Sequence, residues 1–541
     1  MKNNIFKTVA LGAAISLVAT SCQKGDLLSN PNAATESTAI PVSLILNHVT
    51  ANFIRGEELP FNGDQNGANN AFKMDQYQVA NYSKYWGNNE YSWSYSGHSY
   101  EILKYAIKLE DQSKLQLGNT TNKYFAVAKF LRAYSAIWLS QRVGDIPMAQ
   151  AGNIAYPTPV FDTQKDVYKN SLTLLEDANT MFTALNNASN SNTAFDGGDI
   201  FNLTNLQWQK LINTYHLRVL ISLSKRADDN ADLNIKAQFA AIVTNPTKYP
   251  IMTANSDNMV YKFNSVNQYP NFQQGNTPYN NFMDVSKTVL DITTANKDPR
   301  TYVIATPAPK QIAAPISKPI SDFTAYVGAD PKLSLSDIQT ASDGGNLSYF
   351  NALRYFGSNT GATAEPFIFI GYPELCFNIA EGINRGWATT LTATDAKSWY
   401  DKGIAASFSN FGLNVTSNST VTISNLAVTG QGTVTTDNAT FLANVAYNTG
   451  SASTALTQIL QQKYIAMFMN SGYEAFFNYR RTGVPSFSQS GPGTGTANGL
   501  IPKRWLYPID EINYNNANYK TSIGSQYGGV DDVTKDTWLT K

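Results

Sequence analysis

The sequence contains few charged residues, and the two signs balance. Charged side chains make up 15% of the 541 residues, with 40 lysines and arginines matched by 40 aspartates and glutamates, whereas an average soluble domain has roughly 25%. Because nucleic-acid binding usually requires a basic excess, this balance argues against a nucleic-acid partner. Hydrophobic residues account for 43% and aromatic residues for 12% of the chain, which is enough for a large folded core.

Histidine and cysteine are rarer still. The three histidines, His48, His98 and His216, form no HExxH motif and lie beside no cysteine cluster, so the sequence predicts no metal site and no cofactor. Only two cysteines are present, Cys22 and Cys376. Cys376 lies in an apolar stretch, where we expect a small buried core residue rather than a nucleophile.

The chain lacks any apolar run of the roughly 18 residues that a membrane-spanning helix requires. Its one clear run, residues 9–19, follows two lysines and has the length of a signal-peptide core. The run ends in Ala19-Thr20-Ser21-Cys22, which is similar to the cleavage site of bacterial lipoproteins. We therefore expect residues 1–21 to be a lipoprotein signal peptide and Cys22 to carry the lipid, with an ordinary signal peptide cleaved nearby as the alternative.

Cleavage before Cys22 would leave a mature chain that begins at the acylated cysteine and has no internal disulfide. It would also remove two lysines and no acidic residue, which gives the mature chain a net charge of −2. Two or three acyl chains attach a protein stably, because each buried methylene contributes about 0.8 kcal/mol. Residues 22–40 are rich in Ser, Asn, Ala and Thr and are expected to form a flexible tether, followed by a single domain over residues 41–541.

The rest of the chain shows helical periodicity, and the predicted helices occur in pairs. Apolar residues recur at spacings of three and four, and glycine, proline and capping residues mark the ends. Thr163 with Asp166 predicts a capping box, and Thr394 is the N-cap expected for a later helix. The predicted fold class is mainly α, a scaffold of about four tetratricopeptide-like pairs. The predicted pairs lie within residues 100–143, 163–226, 373–408 and 456–481.

Two long insertions interrupt this helical pattern. Residues 251–365 contain Pro, Gly, Asn and short β-rich runs such as Tyr302-Val303-Ile304, and residues 414–453 are rich in Thr, Ser, Asn and Gly. Both are expected to be irregular. Long irregular insertions on a compact scaffold are usually functional, so we expect them to form part of a binding face.

The sequence contains few motifs that are typical of catalytic sites. Ser222-Leu223-Ser224-Lys225 and Ser256-Asp257-Asn258 match two elements of penicillin-recognising serine enzymes, but no KTG follows them. Asp196-Gly197-Gly198-Asp199 lacks the full ligand spacing of a calcium loop and is more typical of a turn. A pair of carboxylates for glycoside hydrolysis needs only to meet in space, so a hydrolase stays open although no local pattern marks one.

Aromatic residues give the strongest local bias. Eight of them fall within residues 77–100, where the average composition predicts about three. Aromatic rings that stack on sugar faces, beside neutral amides, suit an uncharged polyhydroxylated ligand, whereas the alternative is that the rings pack the first helices. A second group of similar chemistry lies within residues 269–279. The candidate ligand-binding residues are Trp86, Asn88, Asn89, Tyr91 and Trp93 in the first group and Tyr269, Asn271 and Phe272 in the second.

An ordered set of short motifs follows the lipoprotein start. They are Asn30-Pro31-Asn32, Gly144-Asp145-Ile146-Pro147, Asp298-Pro299-Arg300, Pro373-Glu374-Leu375 with Ala380-Glu381, Arg480-Arg481-Thr482-Gly483-Val484-Pro485, and Ile501-Pro502-Lys503-Arg504 with Tyr507-Pro508 and Glu511. Together they resemble the SusD/RagB nutrient-binding outer-membrane lipoproteins over nearly the whole chain. On the chemistry of the residues alone, Arg480 and Arg481 are expected to be structural, because arginines near a helix end can satisfy carbonyls and pair with carboxylates.

The resemblance implies a lipid-anchored protein on the outer membrane, facing the cell exterior. It further implies four tetratricopeptide-like pairs and a partner, a SusC-like TonB-dependent porin, to which glycan or sometimes peptide is delivered. In such proteins the sugar platform often lies just before the first repeat, which points to Trp86, Asn88, Tyr91 and Trp93 by position. A peptide-binding member of the family, a polysaccharide hydrolase and a scaffold without ligand remain the alternatives.

Overall fold

The computed structural model describes residues 39–53, 70–82, 89–91, 98–118, 121–187, 192–264, 283–355, 365–425 and 428–541. Within these ranges the protein is mainly helical, with nineteen α-helices and six short strands. The helices are α1 (Val42–Phe53), α2 (Asn70–Met74), α3 (His98–Leu117), α4 (Lys123–Val143), α5 (Gln164–Leu185), α6 (Asn205–Ser222), α7 (Ile235–Thr244), α8 (Lys287–Ala295), α9 (Arg300–Ile304), α10 (Pro309–Ile312), α11 (Leu335–Asp343), α12 (Ala352–Tyr355), α13 (Tyr372–Asn384), α14 (Ala393–Asn410), α15 (Asn438–Asn444), α16 (Ala452–Ala466), α17 (Glu474–Thr482), α18 (Ile509–Tyr514) and α19 (Asn516–Tyr527). The strands are β1 (Gln78–Ala80), β2 (Met259–Tyr261), β3 (Met283–Val285), β4 (Phe367–Ile370), β5 (Thr420–Asn425) and β6 (Val428–Thr435).

Four helix pairs form the scaffold, as the periodicity predicts. The partners α3 and α4, α5 and α6, and α13 and α14 pack along each other. The fourth pair is arranged differently, because α16 packs against α13 and α14 while α17 contacts α6. Helix α13 also contacts α6, and nearly all of its residues are buried, so it connects the first half of the scaffold with the second.

Local sequence sets most helix ends. Thr163 caps α5 by accepting from the Asp166 N–H at 3.2 Å, as predicted. The N-cap of α14 is Thr392 and not Thr394: one oxygen of Asp395 accepts from both the backbone N–H and the hydroxyl of Thr392, each at 2.8 Å. The correction follows from spacing, since the two members of a capping box are three positions apart and Thr394 directly precedes Asp395.

Gly144 ends α4 for two physical reasons. Its φ of +100° is one that side chains with a Cβ rarely adopt, and a Cβ there would lie 2.4 Å from the hydroxyl of Tyr527. Tyr527, the last residue of α19, donates from that hydroxyl to the Val143 carbonyl at 2.8 Å. The glycine thus allows the C-terminal helix to seal the end of α4.

Both predicted irregular insertions contain regular structure. Tyr302-Val303-Ile304 belongs to helix α9 and not to a strand, because Asp298 accepts from the Arg300 N–H at 2.9 Å and starts the turn. Residues 414–453 include the β5–β6 hairpin, in which Val421 pairs with Val434, and helix α15. Thr-Val alternation has the period of a strand, and here it outweighs the glycine and asparagine around it.

Residues 42–541 form one compact unit. Its core is built from buried aromatic and aliphatic side chains and includes Cys376, whose thiol is fully buried as predicted and whose pKa burial raises to about 12. Among the described residues, no helix combines the length and the apolar character that crossing a membrane requires.

Candidate ligand-binding site

The candidate residues divide into those that the structure describes and those that it does not. Trp86, Asn88, Trp93, Tyr269, Asn271, Phe272 and the lipid-attachment candidate Cys22 lie outside the described residues. Asn89 and Tyr91 are described, and both are buried, with 7% and 8% of their surface exposed. The described part of the candidate site is therefore the surroundings of these two residues.

Asn89 acts as a substitute for a strand partner. Its Oδ1 accepts a hydrogen bond from the Ala80 N–H at 2.7 Å, and its Nδ2 donates to the Ala80 carbonyl at 2.8 Å. A side-chain amide offers a donor and an acceptor together, as a peptide group does, so Asn89 satisfies both backbone groups at the end of β1. These two hydrogen bonds thereby hold the chain at Asn89 against Ala80.

Tyr91 fixes the chain two residues later. Its hydroxyl donates to the Met74 carbonyl at 3.1 Å and accepts from Gln76 Nε2 at 3.4 Å, while its backbone N–H donates to the Thr494 carbonyl at 3.0 Å. Burial raises the pKa of the phenol far above its usual range, so the hydroxyl stays neutral. Asn89 and Tyr91 hold the backbone in position in this structure, and their role as ligand contacts stays a prediction.

The pairing of β1 with β3 brings together two described segments, each of which leads along the chain to one of the candidate groups. The strands are antiparallel, and Ala80 lies opposite Met283. Residues 83–88 follow Ala80 closely and residue 282 directly precedes Met283, so both groups are attached to the same end of this two-stranded ladder. Asn89 returns to that end as well. The sequence pattern gives no relation between the two groups. The strand pairing shows that Ala80, which precedes the first group, lies opposite Met283, which follows the second.

A buried polar network supports this end of the ladder. Asp284 on β3 is fully buried, and its carboxyl accepts from Asn81 Nδ2 at 3.0 Å and from the Ser342 hydroxyl at 3.1 Å. Tyr349 donates to the Ser342 carbonyl at 3.0 Å. Burial raises the pKa of Asp284 to about 8, against the opposing effect of the hydrogen bonds from Asn81 and Ser342. A largely protonated, inaccessible carboxyl of this kind positions the backbone and has no contact with solvent.

Gln76 is a second positioning residue that the sequence did not reveal. It is fully buried with a φ of +54°, and its side chain donates to the Ser488 carbonyl at 2.7 Å and accepts from the Ser488 N–H at 2.8 Å. The Thr288 hydroxyl donates to the same side-chain oxygen at 2.7 Å. These partners lie more than 200 residues away in sequence, so no local pattern could have identified them.

Three of the ordered motifs form buried arginine–carboxylate pairs. Arg218 makes a two-point contact with Glu374 at 2.5 and 2.8 Å, Arg300 does the same with Asp298, and Arg481 contacts Glu381 with both terminal nitrogens. Arg480 instead satisfies two carbonyls. The expectation that the arginine pair at 480 and 481 is structural is thus confirmed.

The candidate catalytic motifs are engaged in the fold. The Ser222 hydroxyl donates to the Val219 carbonyl at 2.7 Å, and Lys225 donates to the Thr540 carbonyl at 2.6 Å, so the two do not activate each other. Asp199 uses its carboxylate to accept from two backbone N–H groups of its own loop. His216 is buried, and burial lowers its pKa to about 4. Within the described ranges no three His, Cys, Asp or Glu side chains are grouped as metal ligands would be.

Comparison with known proteins identifies a family whose model matches this chain. A family model described as SusD-like, "Starch-binding associating with outer membrane", matches residues 31–508. No curated protein matches the chain.

Several solved structures share the fold. A SusD homologue of Bacteroides fragilis NCTC 9343 is 27% identical, with a TM-score of 0.75 over 92% of this chain and 100% of the other. A second homologue from the same strain is 28% identical, with a TM-score of 0.71 over 92% and 99%. A chitin-binding SusD homologue of Flavobacterium johnsoniae is 19% identical, with a TM-score of 0.66 over 92% and 98%, a likeness that concerns the fold alone.

Proposed function

The chain belongs to the SusD-like family, and on that premise we propose that it is a surface lipoprotein that binds a glycan and delivers it to a SusC-like TonB-dependent transporter of the outer membrane. The protein carries out no catalysis in this proposal. The family description as starch-binding and associated with the outer membrane supports the ligand class and the location.

One observation carries the proposed binding site, namely the pairing of Ala80 with Met283. It supports the proposal because the segments that lead to the two groups leave one end of this ladder, where Asn89 bonds to Ala80 and Asp284 bonds to Asn81. Aromatic faces with a few oriented amides suit a neutral sugar, and rigid support reduces the entropy lost on binding. The residues proposed to contact ligand are Trp86, Asn88, Trp93, Tyr269, Asn271 and Phe272.

The absence of catalysis is supported by the state of the buried acids near the ladder. General acid–base catalysis requires a titratable group within hydrogen-bond reach of the substrate. Asp284 is fully buried and bonded to Asn81 and Ser342. It is therefore a support for the site and not a reacting group.

We also propose that residues 1–21 are removed, that Cys22 carries the lipid, and that residues 22–40 tether the domain to the outer face of the outer membrane. Cys22→Ser tests this. The variant should lose incorporation of radiolabelled palmitate and move from the membrane to the soluble fraction, whereas Cys376→Ser should keep both. Palmitate incorporation that survives in Cys22→Ser would refute lipidation at this position.

Calorimetric titration of residues 23–541 against soluble polysaccharides and oligopeptides tests the ligand class. The panel includes starch and chitin oligosaccharides. We expect heat of binding with at least one neutral glycan and a loss of at least tenfold in affinity in Trp86→Ala. Trp399→Ala is the matched control, since Trp399 lies on α14 in another part of the scaffold and should leave the affinity unchanged.

The other outcomes separate the alternatives. Binding to peptides alone would replace the glycan by a peptide while leaving the family intact. Release of shorter sugars during incubation would show a hydrolase. No heat with any ligand, together with binding to the transporter, would favour a scaffold.

A further inference from the structure

A polar recess lies between α6, α16, α17 and the last residues of the chain. Its volume is about 20 Å³, which is room for one or two water-sized species. Four cationic side chains and one carboxylate line it: Arg218, Lys463, Arg480, Arg481 and Glu474. No step of the proposed glycan delivery uses this recess.

The charges around the recess do not cancel. Arg218 is neutralised by Glu374 and Arg481 by Glu381, in two buried ion pairs. Glu474, the only other lining carboxylate, lies 4.0 Å from Arg218, so the four lining cations face three carboxylates and leave an excess of one positive charge. Buried charges are normally paired, because removing an ion from water costs several kcal/mol.

Lys463 has unused donors. Its side chain is 2% exposed, and among the described residues its ammonium donates only to Asn478 Oδ1, at 2.9 Å. That oxygen also accepts from Arg481 Nη2 at 2.9 Å. An ammonium has three N–H donors and no acceptor, so two of the donors are available to a further acceptor.

Arg480 also has a donor without a partner among the described residues. Its two terminal nitrogens donate to the carbonyls of Lys503 and Gln141, both at 2.7 Å, and its Nε has no partner among the described residues. Burial lowers the pKa of Arg480 to about 10 and that of Lys463 to about 8. Both shifts have the direction expected where buried positive charge is incompletely compensated.

The charged residues just outside the recess mostly have partners of their own. Lys503 is paired with Asp536 at 2.5 Å, and Lys225 donates to a neutral carbonyl, that of Thr540. Arg226 is paired with Asp229 at 3.2 Å and also contacts the C-terminal residue Lys541.

We propose that this recess binds one small monovalent anion of halide size, which accepts hydrogen bonds from Lys463 and Arg480 and neutralises the excess charge. A water molecule would fit the volume but would leave the charge uncompensated. The anion would join α16 and α17 to the C-terminal tail, since Leu539 and Thr540 line the same recess.

Bromide tests the site directly. Crystals of residues 23–541, which include every described helix and strand, would be grown with sodium bromide and measured at the bromine absorption edge. We expect an anomalous peak within about 3.5 Å of Lys463 Nζ and Arg480 Nε. Electron density without an anomalous peak would identify water and overturn the proposal.

Thermal unfolding provides a second test in solution. Replacing sodium gluconate by sodium chloride at constant ionic strength should raise the Tm by about 1–3 °C and then saturate, as expected when a ligand binds only the folded state. Lys463→Met should lose this dependence, and Lys397→Met on the surface of α14 should keep it. A Tm that is the same in both salts would overturn the proposal, and if Lys463→Met fails to fold, the bromide experiment decides alone.

Discussion

At the scale of single residues, a buried ion pair determines the pKa of its carboxylate and contributes to stability. Glu381 is fully buried and contacts both Arg481 and Arg385, the latter at 2.8 Å. Burial alone would raise the pKa of Glu381, but the two arginines outweigh it and hold the pKa at about 2. The carboxylate therefore stays ionised well below the pH at which a glutamate ordinarily takes up a proton.

Glu381→Gln should lower the free energy of unfolding by about 3–5 kcal/mol at pH 7, because it leaves buried arginines without their counter-charge. The folded pKa lies below the ordinary value of 4.5, so the contribution of Glu381 is complete above about pH 4.5 and is lost as the pH falls towards 2. The difference between wild type and variant should shrink over that window. Urea unfolding followed by circular dichroism at pH 7, 4.5 and 3 measures it.

Glu176→Gln is the matched control for this variant. Glu176 pairs with Lys248 at 3.0 Å, and both side chains are more than one third exposed. Exposed pairs contribute at most about 1 kcal/mol. Equal effects of the two substitutions would contradict the distinction between the buried pair and the surface pair.

Asp284 gives the opposite pH dependence. Its folded pKa of about 8 lies above the ordinary value of 3.8, so the wild type should lose stability progressively as the pH rises from about 4 to 8. Asp284→Asn removes the titration and keeps the shape of the side chain. We expect a flatter stability profile between pH 4 and 8, measured by thermal unfolding in matched buffers, and parallel profiles for wild type and variant would show that Asp284 does not titrate in this range.

At the scale of secondary structure, local chemistry accounts for most of what the sequence predicted. The helix pairs follow from apolar spacing, and the cap at Thr163 follows from a contact three residues away. The β-rich pattern failed at α9, where Asp298 starts the turn locally and Gln462 from another helix holds the side chain of Arg300 at 2.5 Å. The binding-site supports belong to the same class, since Gln76 and Asp284 acquire their partners only in the folded protein.

Asn89→Ala should separate positioning from contact at the end of β1. The substitution removes both hydrogen bonds to Ala80, so amide exchange at Ala80 should accelerate. We expect glycan affinity to fall by about tenfold although Asn89 is buried, because the adjoining candidate residues lose their fixed attachment. Calorimetry and hydrogen exchange measure the two effects. Unchanged affinity with accelerated exchange would mean that the order of this segment has no effect on binding.

At the scale of the whole molecule, many charged side chains are paired with each other and the two signs balance. The described arginines and acids form many buried or half-buried pairs, and the 541-residue chain has a formal net charge of zero. Such a molecule has little long-range field with which to attract a charged ligand. The proposed recognition of a glycan therefore relies on ring faces and amides.

The affinity for a neutral glycan should therefore be almost independent of salt. Proteins that bind through ionic contacts release counterions, and their affinity falls steeply as the salt concentration rises, whereas aromatic and amide contacts release none. We expect less than about a twofold change in the calorimetric Kd between 50 and 500 mM salt, in both chloride and gluconate, so that any anion bound in the recess beside Lys463 is separated from the effect of ionic strength. A steep decrease in affinity in both salts would identify an acidic glycan or a peptide terminus as the ligand, since either would form an ion pair. A decrease in chloride alone would couple the recess to the binding site and would require the two to be parts of one mechanism.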